Sequence, residues 1–269
     1  MANKVYDNFY LANEVEDQFN SHLDLMRFCT VDTTLEGTEG MKKLVNVYSA
    51  TNGTEKLAMG AGNSKDIEVT FVQREYDIQL AQNRFKWYDE EAMKDPMLVP
   101  VGMRHAGTDM FNTVNADIYG EFKKASVSVP DVTAFNFDAF ADAVAALNIE
   151  NEEGVEIFTH VSPKMKAILR KNLKDELKYV EAFVRSGYIG TVCGVNLYDK
   201  RDADDDALYI GTKQAVTAFI KKGAEVEQIV KNMRSAEDAN IRQNTAFSRK
   251  YYVVALTNET KVVKVAISG

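Results

Sequence analysis

Lys65-Asp66-Ile67-Glu68-Val69-Thr70-Phe71-Val72-Gln73-Arg74-Glu75-Tyr76-Asp77-Ile78-Gln79-Leu80 decides how this chain is read. Ile67, Val69 and Phe71 alternate with Glu68 and Thr70, the period-two signature of a strand with one apolar face. After Gln73-Arg74-Glu75 the phase slips, and Tyr76, Ile78 and Leu80 are apolar at the opposite parity. A slip of one residue sends the two halves of a strand to different faces or marks a bulge between them. At ~3.3 Å per residue, a strand over 65–80 spans ~50 Å, long for a compact domain. Upstream, Met41-Lys42-Lys43-Leu44-Val45-Asn46-Val47-Tyr48-Ser49 reads as its partner. Residues 50–64, with Gly53, Gly60 and Gly62, form a flexible fifteen-residue connection. A two-stranded ribbon cannot bury its own apolar side chains. The half around Tyr76 and Ile78 is expected to pack on the chain's own body. The half around Ile67, Val69 and Phe71 is expected to lie on a neighbour, most simply a second copy. The alternative is a bulged strand inside one ordinary sheet.

Composition narrows the class. A chain of 269 residues, 45% of them hydrophobic, can bury a substantial core in one large domain or two small ones. No apolar run approaches the roughly 20 residues that cross a bilayer, and Met1-Ala2-Asn3-Lys4-Val5-Tyr6-Asp7 lacks a signal-peptide core, so a soluble protein made in a cytoplasm is expected. Cys29 and Cys193 are too few for a disulfide framework or zinc site and read as small buried hydrophobes. A net charge of −8 argues against base-reading of nucleic acid, which usually needs a basic patch.

Along the chain, residues 1–40 read as an arm, with Leu11, Val15, Phe19, Leu23 and Met26 at near-helical spacing. Asp89-Glu90-Glu91 starts a short helix that stops before Pro96. From Pro100 a longer helix carries the stripe Met103, Ala106, Met110, Val114, Ile118, Phe122 and Ala125, weakened by Gly102 and Gly107. Asn136 caps an amphipathic helix with Phe135 and Phe140 placed as a staple, and Ser162-Pro163 starts another. Strands are expected at 155–161, 192–198 and 207–212, with a long contact loop over 173–191. The tail, 251–256 and 262–267 around a turn, reads as a closing hairpin beside the long helix. The fold class is α+β, with an α/β subdomain in the second half.

No catalytic set emerges. His22, His105 and His160 share no metal-ligand spacing, and His105 has no HExxH partner. Gly60-Ala61-Gly62 lacks the Lys-Ser/Thr ending and the following helix of a phosphate loop. Asp202, Asp204, Asp205 and Asp206 are the best metal candidates because hard cations take clustered carboxylates, but the run lacks the glycine and distal glutamate of a calcium loop and a solvated turn explains it better. No enzymatic activity and no cofactor are expected.

The order of elements resembles the major capsid proteins of tailed bacteriophages, with their Hong Kong 97-type coat fold. Stretches that carry the resemblance are Asn46-Val47-Tyr48-Ser49-Ala50-Thr51, Lys56-Leu57-Ala58-Met59-Gly60-Ala61-Gly62-Asn63 and Asp109-Met110-Phe111-Asn112-Thr113-Val114-Asn115-Ala116-Asp117. Two more are Gly187-Tyr188-Ile189-Gly190-Thr191-Val192-Cys193-Gly194-Val195 and Arg249-Lys250-Tyr251-Tyr252-Val253-Val254-Ala255-Leu256-Thr257. The resemblance implies an N-terminal arm (1–40), an extended hairpin loop (41–85), a peripheral domain with a spine helix (86–129 and 221–269) and an axial domain (130–220).

It further implies pentamers and hexamers of one chain closing into an icosahedral head around double-stranded DNA, assembled in a bacterial host's cytoplasm and residing in the virion. Contacts between copies are expected at Leu57, Met59, Ile67, Val69 and Phe71 of the hairpin loop and at Tyr188 and Ile189 of the axial loop. Implied partners are a separate scaffolding protein, a portal, non-specifically held DNA and a decoration protein, with no membrane. Some members form Lys–Asn crosslinks between subunits; Lys56 and Lys65 in the loop region could serve as donors, but no acceptor Asn or assisting Glu is marked and crosslinks are not expected. Two other readings are an encapsulin-like nanocompartment shell and a cation-dependent ligand-binding protein or enzyme using Asp202–Asp206.

Overall fold

The computed structural model describes residues 23–130, 132–149, 154–173 and 190–267. A 3-10 turn, Leu25–Phe28, leads into a short strand, β1 (Thr30–Asp32), and the chain then enters the ribbon. Strand β2 (Lys42–Ala50) runs antiparallel to β3 (Val69–Asp77), with Ala50 opposite Val69 and Lys42 opposite Asp77. After the single residue Ile78, β4 (Gln79–Tyr88) begins in a different sheet. The one long strand expected over 65–80 is therefore two strands, and residues 65–68 belong to the connecting loop. The parity slip marks a change of sheet: Ile78 is buried with Phe219 and Ala255, and its N–H donates to the Met41 carbonyl at 2.7 Å.

Helix α1 (Asp89–Lys94) starts with Glu91 reaching back to accept from the Tyr88 N–H at 3.1 Å. Helix α2 (Leu98–Phe122) follows and, at 1.5 Å per residue, is about 37 Å long. Pro100 falls inside its first turn, where a missing N–H costs no intrahelical bond. A Cβ on Gly102 would meet the Phe85 ring at 2.3 Å, so this glycine lets β4 and α2 close on each other. Met110, Val114, Ile118 and Phe122 are buried as the stripe requires, and Asn115 and Tyr119 join them.

The second half alternates short elements: β5 (Val127–Ser128), α3 (Phe137–Leu147), β6 (Ile157–Val161), α4 (Pro163–Asn172), β7 (Thr191–Val192), β8 (Val195–Asp199) and β9 (Ala207–Thr212). The Asn136 Oδ1 accepts from the Ala139 N–H at 3.0 Å, and the Ser162 Oγ accepts from the Met165 N–H at 3.0 Å, as their cap positions predict. The strand expected over 192–198 is interrupted by Cys193-Gly194, both at positive φ (49° and 79°). That is the two-residue turn whose twist suits a tight hairpin, so β7 and β8 pair antiparallel. The chain finishes with β10 (Val216–Ile229), a short helix α5 (Ala236–Asn240), β11 (Gln243–Leu256) and β12 (Val262–Ala266).

Apart from the two-stranded β2–β3 ribbon, the strands divide between two sheets. One has the order β1-β10-β11-β4 and the other β5-β12-β9-β6-β8-β7. The tail is thus not a closing hairpin: β11 lies between β10 and β4, whereas β12 lies between β5 and β9. Val262, Val263 and Val265 are all buried, which only an interior strand covered on both faces provides. Strand β10 joins the four-stranded sheet from Val216 onward.

One core packs α3 and α4 on the six-stranded sheet through Phe135, Phe140, Met165, Leu169 and Ile210. A second joins α2, the Leu25–Phe28 turn and both sheets through Phe28, Ile118, Phe122, Phe158 and Tyr252. The long helix therefore sits where the two sheets meet.

Candidate assembly surface

Pairing within the ribbon fixes which side chains share a face. Lys43, Val45, Val47 and Ser49 stand opposite Tyr76, Arg74, Val72 and Thr70 on one face. Leu44, Asn46, Tyr48 and Ala50 stand opposite Glu75, Gln73, Phe71 and Val69 on the other. The root of the first face is tied to the body. Tyr76 stacks on Phe219, Val45 joins the same cluster, Lys43 meets Asp32 at 3.0 Å and Arg74 meets Glu259 at 3.4 Å. Beyond that root the apolar side chains lack cover. Tyr48, Val69, Phe71 and Val72 are each more than 60% exposed, and the Tyr48 and Phe71 rings lie 5.9 Å apart.

The connecting loop has local order. The Glu55 carboxylate accepts from the Ser64 N–H (2.8 Å) and hydroxyl (2.6 Å), bonds that hold it below the ordinary carboxylate range. The Thr51 N–H donates to the Glu68 carbonyl at 3.0 Å, and the Glu68 N–H donates to the Thr51 hydroxyl at 2.9 Å. Gly53 is buried against Ile67, and Gly60 takes a positive φ of 84° at the tip turn. Leu57, Met59 and Ile67 point to solvent. Five of the seven residues expected at contacts between copies, Leu57, Met59, Ile67, Val69 and Phe71, thus share one exposed ribbon and loop. Tyr188 and Ile189 lie outside the described residues.

Sequence reasoning missed part of this surface. Val47, Tyr48 and Val72 extend it, and the alternation of β2 carried that signal. A second exposed group, Met93, Met97, Met233 and Ile241, comes from the connections at one end of the four-stranded sheet, where Gln243 pairs with Tyr88. Because it comes from two separate connections, β4 to α2 and β10 to β11, no single stretch of sequence announces it.

The aspartate cluster disperses. Asp204 accepts from Lys123 (2.6 Å) and the Tyr209 hydroxyl (3.0 Å), Asp205 accepts from Ser162 (2.6 Å) and Lys164 (2.8 Å), and Asp202 stands 3.8 Å from Lys200. Lysines occupy the places that a cation would take. Among the described residues, no group of three or more His, Cys, Asp or Glu is arranged to hold a metal. His105 is exposed on α2, and His160 is buried on β6 with its Nε2 unpartnered among the described residues. Cys29 is buried, its thiol pushed up to about 11 by that burial, whereas Cys193 is half-buried in its turn.

A groove of about 1050 Å³ runs between the ribbon root, α2 and β11. Its acids are already committed: Asp117 accepts from the Tyr252 hydroxyl at 2.6 Å, and Glu121 from the Leu256 N–H at 3.1 Å. Among the described residues, no helix is long and apolar enough to cross a membrane.

Comparison with known proteins gives this geometry a class. No protein-family model matches the chain. The major capsid protein of Staphylococcus phage phiMR11 is 24% identical over 264 residues, spanning 95% of this chain and 91% of that protein. Among solved structures, the capsid of cyanophage P-SCSP1u superposes with a TM-score of 0.75 at 13% identity, covering 97% of this chain and 93% of that one. A chain of Mycobacterium phage Che8 gives 0.70 at 17% identity over 98% of both. The virus-like particle of Pyrococcus furiosus gives 0.57 at 12% identity over 90% and 91%. The chain has the Hong Kong 97-type coat fold of phage capsids, along essentially its whole length.

Proposed function

We propose that this chain is the major capsid protein of a tailed phage, a structural protein whose copies assemble into the head. The observation that carries the reading is the exposed apolar ribbon within a coat fold that matches phage capsids end to end. A surface of that kind is costly on a monomer and expected where another protein covers it. Many modest contacts per copy then combine multivalently into a closed shell.

Several finer points belong to the same proposal. Copies group as pentamers and hexamers in an icosahedral head, guided by a separate scaffolding protein and a portal in the host cytoplasm, with a decoration protein as a further outer partner. Double-stranded DNA is enclosed without sequence reading. The net charge of −8 supports weak, salt-sensitive contact with it. The chain performs no catalysis. The engaged carboxylates of the groove and the lysine-paired aspartates support that reading over a cation-dependent enzyme. A nanocompartment shell is the second reading. It has less support, since the Pyrococcus furiosus virus-like particle superposes with a TM-score of 0.57 against 0.75 for the cyanophage capsid.

Negative-stain electron microscopy of the concentrated protein, alone and with a candidate scaffolding protein, tests the proposal. Shells, tubes or uniform five- and six-membered rings are expected. Strict monomers under both conditions would overturn it. Deleting residues 52–63 should leave a folded monomer that builds no shells.

A further inference from the structure

Asn52-Gly53 is the only Asn-Gly pair in the 269 residues. Such a pair usually marks a tight two-residue turn in which both residues take positive φ. Neither does so here, and turn geometry does not account for it. Packing accounts for the glycine instead: a Cβ at 53 would stand 2.7 Å from the Ile67 Cγ1 and 2.9 Å from the Ile67 N. Only a residue without a side chain lets the two passes of the loop come that close. The consequence falls on its neighbour. Asn52 is exposed, and neither its amide nor the Gly53 N–H has a hydrogen-bond partner among the described residues.

Those two free groups can react with each other. The Gly53 nitrogen, once deprotonated, attacks the Asn52 Cγ and closes a five-membered imide, and the side-chain nitrogen leaves as ammonia. Glycine offers this nitrogen with no Cβ to obstruct the ring. Water then opens the imide at one of two C–N bonds. Breaking the bond to Cγ leaves aspartate on an ordinary backbone. Breaking the bond to the carbonyl carbon leaves isoaspartate, whose main chain runs through Cβ and Cγ. In sum, amide and water become carboxyl and ammonia, and no oxidant or metal takes part. Asn63-Ser64, in the same loop, gives the contrast. Asn63 is also exposed, but the Ser64 N–H donates to the Glu55 carboxylate at 2.8 Å, and serine carries a Cβ.

We propose that Asn52 is a self-modifying site, whose slow conversion to aspartate and isoaspartate unfastens the hairpin loop. Anchors flank it on both sides. The Thr51 N–H donates to the Glu68 carbonyl at 3.0 Å and the Thr51 hydroxyl accepts from the Glu68 N–H at 2.9 Å, while Gly53 is buried against Ile67. Isoaspartate inserts an extra main-chain atom between these anchors, and one of them must release. Either product also adds a carboxylate to a stretch that already carries Glu55, Asp66 and Glu68. On the capsid reading, on which this last step rests, chains left unassembled lose the contact surface of Leu57, Met59 and Ile67 as they age.

The test is peptide mapping of the full-length, unassembled protein held for days at 37 °C, at pH 7 and at pH 9. Trypsin releases Leu44–Lys56, containing Asn52, and Leu57–Lys65, containing Asn63, so the adjoining peptide is the control. Fragmentation should place the new carboxyl at Asn52, formed several-fold faster than at Asn63 and faster again at pH 9, where more of the Gly53 nitrogen is deprotonated. Enzymatic carboxyl methylation should detect isoaspartate in the same peptide. Asn52→Gln, which would have to close a six-membered ring, should lose the reaction. Aged chains, separated by their added charge on anion exchange, should be cut several-fold faster by chymotrypsin within 51–68, and equally old Asn52→Gln chains should not. Conversion at Asn52 no faster than at Asn63, or aged chains cut no faster than fresh ones, overturns the proposal. Aged chains should also build several-fold fewer shells by electron microscopy, and equal numbers would overturn the consequence for assembly. Fresh chains that build no shells fault the capsid reading alone, because the mapping and cutting are done on unassembled protein.

Discussion

Tyr76 stacks on Phe219, ring centroids 5.3 Å apart and planes 24° from parallel, and this pair joins the ribbon to the four-stranded sheet. Phe219 is 2% exposed, whereas Tyr76 is half-buried, so the two sides of the joint differ in cost. Phe219→Ala opens a cavity in the body and should cost about 3–4 kcal/mol in urea unfolding. Tyr76→Ala should cost about 1–2 kcal/mol and act chiefly on the ribbon. Hydrogen exchange should then quicken across β2 and β3 while α2 stays protected. Equal loss of protection in α2 would show that the ribbon root and the body unfold as one unit.

Farther along the ribbon the same chemistry changes purpose. Val69 and Phe71 are over 60% exposed, so making both glutamate removes little within the chain beyond the ring contact of Phe71 with Tyr48. The monomer's stability should stay within about 0.5 kcal/mol of the parent, as for ordinary surface changes. Assembly, followed by light scattering and sedimentation, should fail. A variant that forms normal particles would mean that the exposed apolar stripe is not an interface.

Gly53 offers a subtler version of that experiment. A Cβ there would lie 2.7 Å from the Ile67 Cγ1 and 2.9 Å from its backbone N, so Gly53→Ala must shift the loop backbone. The loop is remote from both main cores, and the melting temperature should hardly change. Proteolytic cutting within 51–68 should accelerate several-fold, with assembly impaired in parallel.

Local patterns were the legible part of this fold. Period-two alternation located β2 and β3, the stripe on Met110, Val114, Ile118 and Phe122 located the long helix, and Asn136 and Ser162 located two helix starts. What the sequence withheld was partnership. A parity slip at residues 73–75 looks the same whether a strand bulges or changes sheet, and only the burial of Ile78 against Phe219 distinguishes them. Likewise β11 and β12 are separated by a turn short enough for a hairpin, yet β12 pairs with β9 and β5 because its valines need cover on both faces. The turn at Cys193 was hidden because a non-glycine residue at positive φ leaves little compositional trace. The aspartates read as a cation site because their lysine partners, Lys123 and Lys164, lie 81 and 41 residues away in the chain.

Those lysine pairs yield a prediction of their own. With Asp204 and Asp205 already engaged, millimolar calcium, magnesium or chelator should leave the melting temperature unchanged. Asp204→Ala strands Lys123 and the Tyr209 hydroxyl and should cost about 1–2 kcal/mol, discounted because Lys123 is 40% exposed. A cation-dependent rise in melting temperature that disappears in this variant would restore the metal-binding reading.

His160 sets the response to acid. It packs between Phe28, Tyr119, Phe122 and Phe158, with the Lys200 ammonium as the nearby charge, and burial pushes its imidazole down to about 3. The sign follows from which state takes the proton. Above pH 6.5 the ring is neutral in both folded and unfolded chains, and pH has no leverage through it. Between about 6.5 and 3 the unfolded chain binds a proton that the folded one refuses, so stability falls as pH falls. The full shift corresponds to a few kcal/mol, at 1.36 kcal/mol per pH unit of difference. His160→Phe keeps a ring in the cluster, surrenders no hydrogen bond at the orphaned Nε2 and removes the titration. Urea midpoints measured from pH 7.5 to 4.5 should slope downward in the natural chain and lie markedly flatter in the variant. The charge would arise where the Leu25–Phe28 turn, the long helix and the six-stranded sheet touch. Acid should therefore loosen that junction first, which hydrogen exchange at Leu25–Phe28 would detect ahead of any change in the α3–α4 core.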